Sequence, residues 1–216
     1  MTDHRNRFLE LACEAGALGF GEFTLKSGRV SPYFFNAGKF QTGDHFRRLA
    51  ACYADALLEH GLPFDMLFGP AYKGIPLATA VSIALADRGR DVAVAFNRKE
   101  TKTHGEGGQL IGAPLQGRVL IVDDVITAGT AVRESLAMIR AANATPCGVL
   151  IGLDRAERGH DARSAAQELA DEEGVEVLAV AGLDDLLSYT GGRLDMSRHQ
   201  AALLDYRARY GVGTAK

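Results

Sequence analysis

Five short apolar runs, most of them separated by segments of helical length, dominate the hydrophobic pattern beyond residue 60. They occupy residues 65–69, 91–96, 119–124, 147–154 and 175–183. Amphipathic stretches predict helices between them at about residues 75–87, 128–142 and 161–173. Continuous apolar runs that alternate with helices are typical of a parallel sheet covered on both faces. The sequence therefore predicts an α/β fold wound by right-handed crossovers.

The segments on either side of this core predict peripheral elements. Apolar residues at helical spacing indicate a helix within the first 16 residues and a second at about residues 44–59. Between them, residues 20–38 alternate aromatic and polar positions around a Ser-Gly-Arg turn, which predicts a hairpin outside the main sheet. Helices near residues 184–189 and 197–210 are interpreted as surface packing elements.

The composition limits the class of protein. A length of 216 residues suits one substantial α/β domain, so we expect a single domain over residues 1–216. The hydrophobic share of 47% and the charged share of 24% are ordinary for a soluble globular protein. A net charge of −3 gives no indication of a nucleic-acid partner. No apolar run approaches the ~18 residues of a membrane span, and the first residues lack the pattern of a signal peptide.

Cysteine and histidine positions predict neither a disulfide framework nor a metal site. Cys13, Cys52 and Cys147 are far apart and include no C-x-x-C pair. We expect them to be reduced thiols in a cytoplasmic protein. Histidines other than His104 show no metal-ligand spacing and are expected at the surface; they are His4, His45, His60, His160 and His199.

Charged or polar side chains follow four of the predicted strands at the point where each strand ends. Because the carboxyl ends of parallel strands share one edge, where open α/β folds bind ligands, these groups are expected to converge there. They are Tyr72 and Lys73, then Arg98 and Lys99, then Asp123 and Asp124, and finally Arg155. Arg155 has the alternative of an ion pair with Asp154.

The stretch VLIVDDVITAGTA, residues 119–131, carries the strongest chemical signal. Adjacent carboxylates such as Asp123 and Asp124 persist in a buried place only if something neutralises or hydrogen-bonds them. Sugar hydroxyls and Mg²⁺ would both serve. The small residues 127–131 lead into a helix whose free N–H groups and dipole favour a phosphate. We interpret the stretch as a grip on a sugar phosphate; the alternative is a capped helix beside solvated aspartates.

Residues 97–112 form the second informative segment. They include Arg98, Lys99, Lys102 and His104 and then three glycines within four residues. Little secondary structure is predicted from residue 98 to residue 117. A long loop with cationic groups and glycine hinges suits a lid that closes over a polyphosphate, whereas the alternative is a solvated basic turn. An ATPase is excluded because the chain lacks G-x-x-x-x-G-K-[ST].

These motifs together resemble those of the type I phosphoribosyltransferases. The stretch VLIVDDVITAGTA is similar to the phosphoribosyl-diphosphate motif of that family. The resemblance covers essentially the whole chain, and further segments narrow it to members that use orotate: FTLKSGRVSPYFFNAG, GPAYKGIPLA, NRKETKTHGEGG and LDR. It implies a parallel sheet core flanked by helices, a small N-terminal hood at about residues 20–40 and a mobile lid at about 98–112.

The resemblance also implies an activity, a cofactor and a partner. The activity is transfer of ribose 5-phosphate from 5-phospho-α-D-ribose 1-diphosphate to orotate in pyrimidine synthesis. The cofactor is Mg²⁺, carried mainly by the diphosphate near Asp123 and Asp124. The partner is a second copy of the chain, in a homodimer whose lids reach into each other's sites. Neither nucleic acid nor a membrane is expected as a partner.

Residue roles follow from the family pattern. The resemblance places Asp123 and Asp124 on the ribose hydroxyls, and it gives Lys102 and His104 catalytic roles beside them. Thr127 and Arg155 are implied to contact orotate, with Phe34 and Phe35 near its ring, although one Phe is expected to be hood packing. The wider set is Lys26, Phe34 and Phe35 from the hood; Tyr72 and Lys73 at the diphosphate loop; Arg98, Lys99, Lys102 and His104 in the lid; and Val125, Ile126, Thr127, Ala128, Gly129, Thr130 and Ala131 around the 5′-phosphate.

Two other functions would fit the same fold. A regulator that senses phosphoribosyl diphosphate without catalysis would usually carry a nucleic-acid-binding surface, and this chain has neither an added helix-turn-helix segment nor a basic charge. A phosphoribosyltransferase for a purine base is disfavoured by the Tyr-Phe-Phe-Asn sequence of the predicted hood.

Overall fold

A mixed sheet and a separate hairpin carry the fold. The computed structural model describes residues 3–25, 27–102, 108–127, 129–159, 162–194 and 196–212. Within these residues the strands form one six-stranded sheet and one two-stranded sheet. In chain order they are β1 (Leu18–Thr24), β2 (Val30–Phe35), β3 (Met66–Gly69), β4 (Ala93–Lys102), β5 (Gly108–Gly112), β6 (Arg118–Val122), β7 (Thr145–Asp154) and β8 (Glu176–Gly182).

Helices connect and cover these strands. A short 3-10 helix spans Ala37–Lys39, between the hairpin and the second α-helix. The α-helices of the described residues are α1 (His4–Glu14), α2 (Gly43–His60), α3 (Gly74–Ala86), α4 (Thr130–Ala141), α5 (Ala165–Glu173), α6 (Leu183–Gly191) and α7 (Ser197–Tyr210). Those expected from the apolar spacing are therefore present, with ends shifted by a few residues.

The six-stranded sheet has the order β5-β4-β3-β6-β7-β8. The neighbouring pairs β4–β3, β3–β6, β6–β7 and β7–β8 are all parallel, which confirms the predicted parallel core. Side chains of β6 alternate between two apolar cores: Leu120 and Val122 contact the core that includes α1, α2 and α3, and Val119 and Ile121 contact the core that includes α4 and α5. Burial on both faces explains why this strand is a continuous apolar run.

The hairpin β1–β2 lies outside the main sheet, as the sequence predicts. Its Tyr33 is fully buried, and the ring meets that of Tyr206 on α7 edge-on, with centroids 6.3 Å apart. The C-terminal helix is thus part of the support of the hood, a contact that the apolar pattern of either segment alone does not reveal.

The prediction of little secondary structure over residues 98–117 was wrong for residues 98–102 and 108–112, whereas residues 113–117 form neither helix nor strand. β4 continues to Lys102, and β5 pairs with it in the antiparallel direction, with an irregular register between Asn97 and Lys102. Leu110 and Ile111 are 37% and 36% exposed. An edge strand with exposed side chains and many charged or glycine neighbours lacks apolar alternation, so only its backbone pairing marks it as a strand.

The remaining features of the fold are the character of its helices and the state of its cysteines. Among the described residues, no helix combines the length and apolar composition that crossing a membrane requires. Cys13, Cys52 and Cys147 are free thiols, and burial raises the pKa of each above its usual value.

Candidate active site

The acidic pair lies directly after β6, at the carboxyl edge of the sheet. Asp123 and Asp124 are each 8% exposed. The Asp124 N–H donates to Asp123 Oδ1 at 2.9 Å, and the backbone continues the parallel ladder through Gly152 N–H, which donates to Asp124 O at 2.9 Å. The Tyr53 hydroxyl donates to Asp123 O at 3.1 Å from below. The peptide groups of the pair are therefore fixed before any ligand binds.

Burial has a large effect on the charge of Asp123. Loss of solvation raises the pKa of its carboxyl group to about 7, and the neighbouring Asp124 carboxylate acts in the same direction. The hydrogen bond from the Asp124 N–H and the charge of Lys73 oppose this shift without cancelling it. The pair can therefore hold one proton near neutral pH, a property typical of carboxylates in functional sites.

The loop between β3 and α3 brings the cation to this pair. Lys73 Nζ lies 2.6 Å from Asp124 Oδ2, and the Lys73 side chain is 56% exposed. This contact confirms the expected convergence for two of the strand ends, because Lys73 follows β3 and Asp124 follows β6. It also gives the acidic pair the neutralising partner that its burial requires.

Close backbone packing fixes the loop that carries Lys73. A Cβ atom on Gly74 would lie 2.5 Å from Pro70 Cδ and 2.9 Å from Val122 O. Asn97, which is 6% exposed, accepts a hydrogen bond from the Ala71 N–H at 2.7 Å through Oδ1. The loop can therefore follow this path only because position 74 has no side chain and a buried amide holds it from β4.

The start of α4 provides donors beside the acidic pair. Gly129 precedes the helix with φ +72°, and no side chain of the described residues caps the helix. Its first N–H groups are therefore available to an anion, which the helix dipole also favours. Thr127, Thr130 and Ala131 are exposed here, and Val125 and Ile126 are half-buried.

Residues of β4 and of the β3–α3 loop meet next to Lys73. Tyr72 is 67% exposed, and Lys99 Nζ lies 5.0 Å from the centroid of its ring. Arg98 is half-buried, and its Nη1 is a buried nitrogen without a hydrogen-bond partner among the described residues. The base of the predicted lid thus lies beside the loop that the resemblance assigns to the diphosphate.

The hood approaches the same edge. Phe34 is 42% exposed and stacks on Phe23, whereas Phe35 packs towards the core near Phe8 and Phe40. This agrees with the expectation that one of the two serves as packing. A cavity of about 110 Å³ is lined by residues of the hood, the core and the site, including Phe35, Phe40, Leu77, Lys73 and Asp124.

Arg155 lies where β7 ends and faces the hood. Its Nη2 donates to Ser31 Oγ at 3.1 Å and lies 2.6 Å from Glu157 Oε1, and its guanidinium covers the Tyr33 ring at 4.3 Å. The alternative of a pair with Asp154 was wrong, because Asp154 Oδ1 instead accepts the Ala156 N–H at 2.8 Å. Burial would lower the pKa of Arg155, but Tyr33 and Glu157 outweigh it and raise the pKa.

Four predicted site residues lie outside the described residues or at the end of a described range. Lys26, His104 and Ala128 are outside the described residues, and Lys102 is described only as the last residue of β4.

Three residues that the motifs did not single out belong to the site. Asn97 holds the Lys73 loop, Tyr53 supports the acidic pair, and Glu157 pairs with Arg155. Asn97 had a visible signal, since this polar residue directly follows the apolar run at residues 91–96. Tyr53 comes from a helix remote in sequence, and the contact of Glu157 depends on a turn with φ +47° at Ala156.

A separate group of possible metal ligands lies away from this edge. Asp3, His4 and Glu59 offer ligand atoms within 4.8 Å of one another. Arg5 Nη1 already contacts Asp3 Oδ1 at 3.1 Å and Glu59 Oε1 at 3.0 Å, so a guanidinium takes the place of a cation. His4 is 4% exposed, and the expectation of a surface position for it was wrong because its helix packs on α2.

Comparison with known proteins shows which family the chain resembles. The phosphoribosyl transferase domain family matches residues 41–181. Orotate phosphoribosyltransferase of Xanthomonas axonopodis pv. citri (strain 306) is 64% identical over 217 residues, covering 99% of both chains. That of Stenotrophomonas maltophilia (strain K279a) is 60% identical over 215 residues, covering 98% of both.

A solved structure of an orotate phosphoribosyltransferase is also similar to this chain. The 1.9 Å crystal structure of orotate phosphoribosyltransferase from Francisella tularensis matches with a TM-score of 0.85 and 42% identity, covering 94% of this chain and 98% of that one. The acidic pair, the helix start that no side chain of the described residues caps, and these full-length similarities lead to one conclusion. The chain belongs to the phosphoribosyltransferase family, among its orotate phosphoribosyltransferases.

Proposed function

We propose that the protein transfers ribose 5-phosphate from 5-phospho-α-D-ribose 1-diphosphate to orotate. The products are orotidine 5′-monophosphate and diphosphate, and the reaction is a step of de novo pyrimidine biosynthesis. The observation that carries this proposal is the buried Asp123–Asp124 pair, which contacts Lys73 on one side and precedes the uncapped start of α4 on the other. Carboxylates suit the ribose hydroxyls, and the helix start suits the 5′-phosphate.

The reaction separates charge at the anomeric carbon. The bond from C1′ to the diphosphate oxygen breaks, which leaves positive charge on the sugar and negative charge on the departing group. The ring nitrogen N1 of orotate then bonds to C1′ and loses its proton, which the departing diphosphate can accept. Lys73, Lys102 and His104 stabilise the departing diphosphate, each to an extent of ~3 kcal/mol if it resembles a lost oxyanion donor. Because the departing diphosphate is itself a proton acceptor, the reaction calls for no dedicated base from the chain.

The acidic pair also fits a site for Mg²⁺. Carboxylate oxygens are the ligands that this ion prefers, and Asp124 already holds a cation, Lys73 Nζ, at 2.6 Å. Asp123 and Asp124 are the residues that would lie beside the ion when the diphosphate carries it in. The bound ion would add positive charge next to the leaving group.

The lid and the second subunit complete the proposal. Lys99, Lys102 and His104 act from the segment 98–112, and closure of this lid excludes water from the sugar cation. The enzyme is a homodimer in which each lid reaches the partner's site. Exposed apolar side chains at Tyr72, Ile83 and Leu110 support a covering partner, since such groups often mark interfaces.

We also propose that the enzyme works in the cytoplasm as one domain over residues 1–216, with its hood at about residues 20–40. The three free thiols support a reducing compartment.

A spectrophotometric assay tests the proposed reaction. Protein, orotate, phosphoribosyl diphosphate and Mg²⁺ are mixed, and the loss of orotate absorbance is followed. We expect turnover that stops when Mg²⁺ is chelated. Absence of turnover with orotate, together with turnover of adenine or hypoxanthine, would refute the substrate assignment.

A further inference from the structure

A buried cluster joins the hood, the end of β7 and the C-terminal helix. Ser31 and Tyr33 on β2 are fully buried, and Tyr206 on α7 is 4% exposed. The side chains of Arg155 and Glu157 lie among them and are only 22% and 12% exposed. Charged groups are seldom enclosed to this degree without a specific task.

The cluster holds one corner of the Arg155 guanidinium. Nη2 takes both polar contacts, donating to Ser31 Oγ at 3.1 Å and lying 2.6 Å from Glu157 Oε1, while the plane of the group rests on Tyr33. A guanidinium has five N–H donors in a rigid fork. In the described part of the chain, Ser31 and Glu157 contact only Nη2, which leaves the N–H groups of Nε and Nη1 as single charge-assisted donors to an anion.

The C-terminal segment fixes Glu157 from behind. The Arg158 N–H donates to Tyr210 O at 2.8 Å, and the Val212 N–H donates to Ala156 O at 2.8 Å. Glu157 itself bridges to Gly211 in an isolated β-bridge. The loop that carries Arg155 and Glu157 is therefore clamped on both sides of Glu157.

Stability alone does not account for this arrangement. A buried ion pair gives little net stability compared with apolar residues of similar volume. The cluster also leaves the Tyr33 hydroxyl buried without a hydrogen-bond partner among the described residues, which is a cost to folding.

We propose that Glu157 is a positioning residue for selection of the base. It holds Arg155 by Nη2, so that the N–H groups of Nε and Nη1 are directed to the carboxylate of orotate. The inference rests on the proposed function, in which Arg155 contacts orotate, and assigns to Glu157, helped by Ser31, the discrimination between a pyrimidine that carries this carboxylate and one that lacks it.

The test compares two nucleotides that differ in this carboxylate. Binding of orotidine 5′-monophosphate and of uridine 5′-monophosphate is measured by calorimetry for the wild type, Glu157→Ala and Glu157→Gln. We expect Glu157→Ala to weaken orotidylate binding about tenfold or more, equal to ~1.4 kcal/mol, and to leave uridylate binding unchanged. Glu157→Gln should recover most of the loss, because its amide oxygen can accept from Nη2.

Kinetics provide a second measurement. Glu157→Ala should raise KM for orotate while KM for phosphoribosyl diphosphate and kcat stay near the wild-type values. The matched control is Glu173→Ala, since Glu173 is similarly enclosed, 18% exposed, and lies 2.7 Å from Arg140 on the far side of the sheet. We expect this control to leave both KM values unchanged.

Two outcomes would overturn the inference. One is an equal loss of affinity for both nucleotides in Glu157→Ala, and the other is unchanged orotidylate binding. If Glu157→Ala does not fold, Ser31→Ala removes the other Nη2 contact, together with the local hydrogen bond from Ser31 Oγ to Tyr33 O, and carries the same comparison. Failure of the proposed function itself would appear differently, as absence of orotate turnover by the wild type.

Discussion

Lys73 Nζ lies 2.6 Å from Asp124 Oδ2, so a cation from one strand end neutralises a carboxylate from the next. In the proposed reaction both groups have other partners, the diphosphate for Lys73 and the ribose for Asp124. The contact therefore keeps the empty site near neutrality, and the substrate replaces it with two interactions. Because Lys73 is 56% exposed, it can turn to the ligand without disturbing the core.

Replacement of Lys73 should damage catalysis much more than folding. We expect Lys73→Gln to lower kcat by about 10²-fold, similar to the loss of one oxyanion donor, with a nearly unchanged melting temperature. The control is Arg47→Gln, which removes an exposed cation paired with Asp44 on α2. Steady-state kinetics and thermal melts are measured for both variants. A wild-type kcat in Lys73→Gln would exclude a role for the lysine in the chemical step.

The raised pKa of Asp123 predicts a pH dependence of stability. Between its ordinary pKa of about 3.9 and the folded-state value of about 7, folded Asp123 keeps a proton that the unfolded chain has lost. The free energy of unfolding due to this group therefore falls as the pH rises through that window. Asp123→Asn carries no charge, so its stability relative to the wild type should increase from pH 4 to pH 8 in urea titrations.

Asp65 serves as a control of opposite sign. The hydrogen bond from the Arg118 side chain lowers the pKa of Asp65 to about 2. Its contribution to stability is present above the ordinary pKa of ~3.9 and is lost as the pH falls towards 2. Asp65→Asn should therefore be less stable than the wild type near neutral pH, and this difference should disappear in acid. A common pH trend for both variants would contradict the assignment.

Gly74→Ala should distort the loop that presents Lys73. Its Cβ would lie 2.5 Å from Pro70 Cδ and 2.9 Å from Val122 O, so backbone must move. Overpacking of this kind costs about 1–3 kcal/mol of stability, and we expect KM for phosphoribosyl diphosphate to rise. Gly43→Ala is the control, because nothing lies within 4 Å of a Cβ added there. Kinetics of Gly74→Ala like those of the control would show that the loop tolerates the shift.

The proposed sharing of lids between subunits predicts complementation between two inactive variants. Lys102→Ala and Asp124→Asn should each lack turnover while remaining folded. In a homodimer whose lids act on the partner's site, equal mixing after subunit exchange should restore about a quarter of the wild-type sites, all in mixed dimers. Activity of the mixture is compared with that of each variant alone, with light scattering to establish the dimer. No recovery after proven exchange would assign each lid to its own subunit.

Much of the sheet could be predicted because its strands are buried on both faces. The runs that became β3, β6 and β7 needed no information beyond their continuous apolar character. The position of Asp123 and Asp124 also followed, since carboxylates directly after a buried strand of a parallel sheet lie at its carboxyl edge. Local sequence therefore fixes the place of the acidic pair.

Contacts set by long-range geometry could not be predicted in this way. β5 is defined by pairing with β4 rather than by apolar alternation. Arg155 has acidic residues on both sides in sequence, and only the turn at Ala156, with φ +47°, selects Glu157 over Asp154. The support of Asp123 by Tyr53 spans 70 positions of the chain and has no local signal.

The Tyr53 hydroxyl beneath the acidic pair has a consequence for how this site can change over evolution. A Cβ atom at Gly152 would stand 2.6 Å from that hydroxyl and 3.2 Å from Asp124 O. A methyl group at position 152 is therefore incompatible with the phenol, and removal of the phenol alone would leave an empty space under the carboxylates. Substitutions at positions 53 and 152 should therefore be tolerated only together. A library that varies both positions jointly should yield active variants where single substitutions do not.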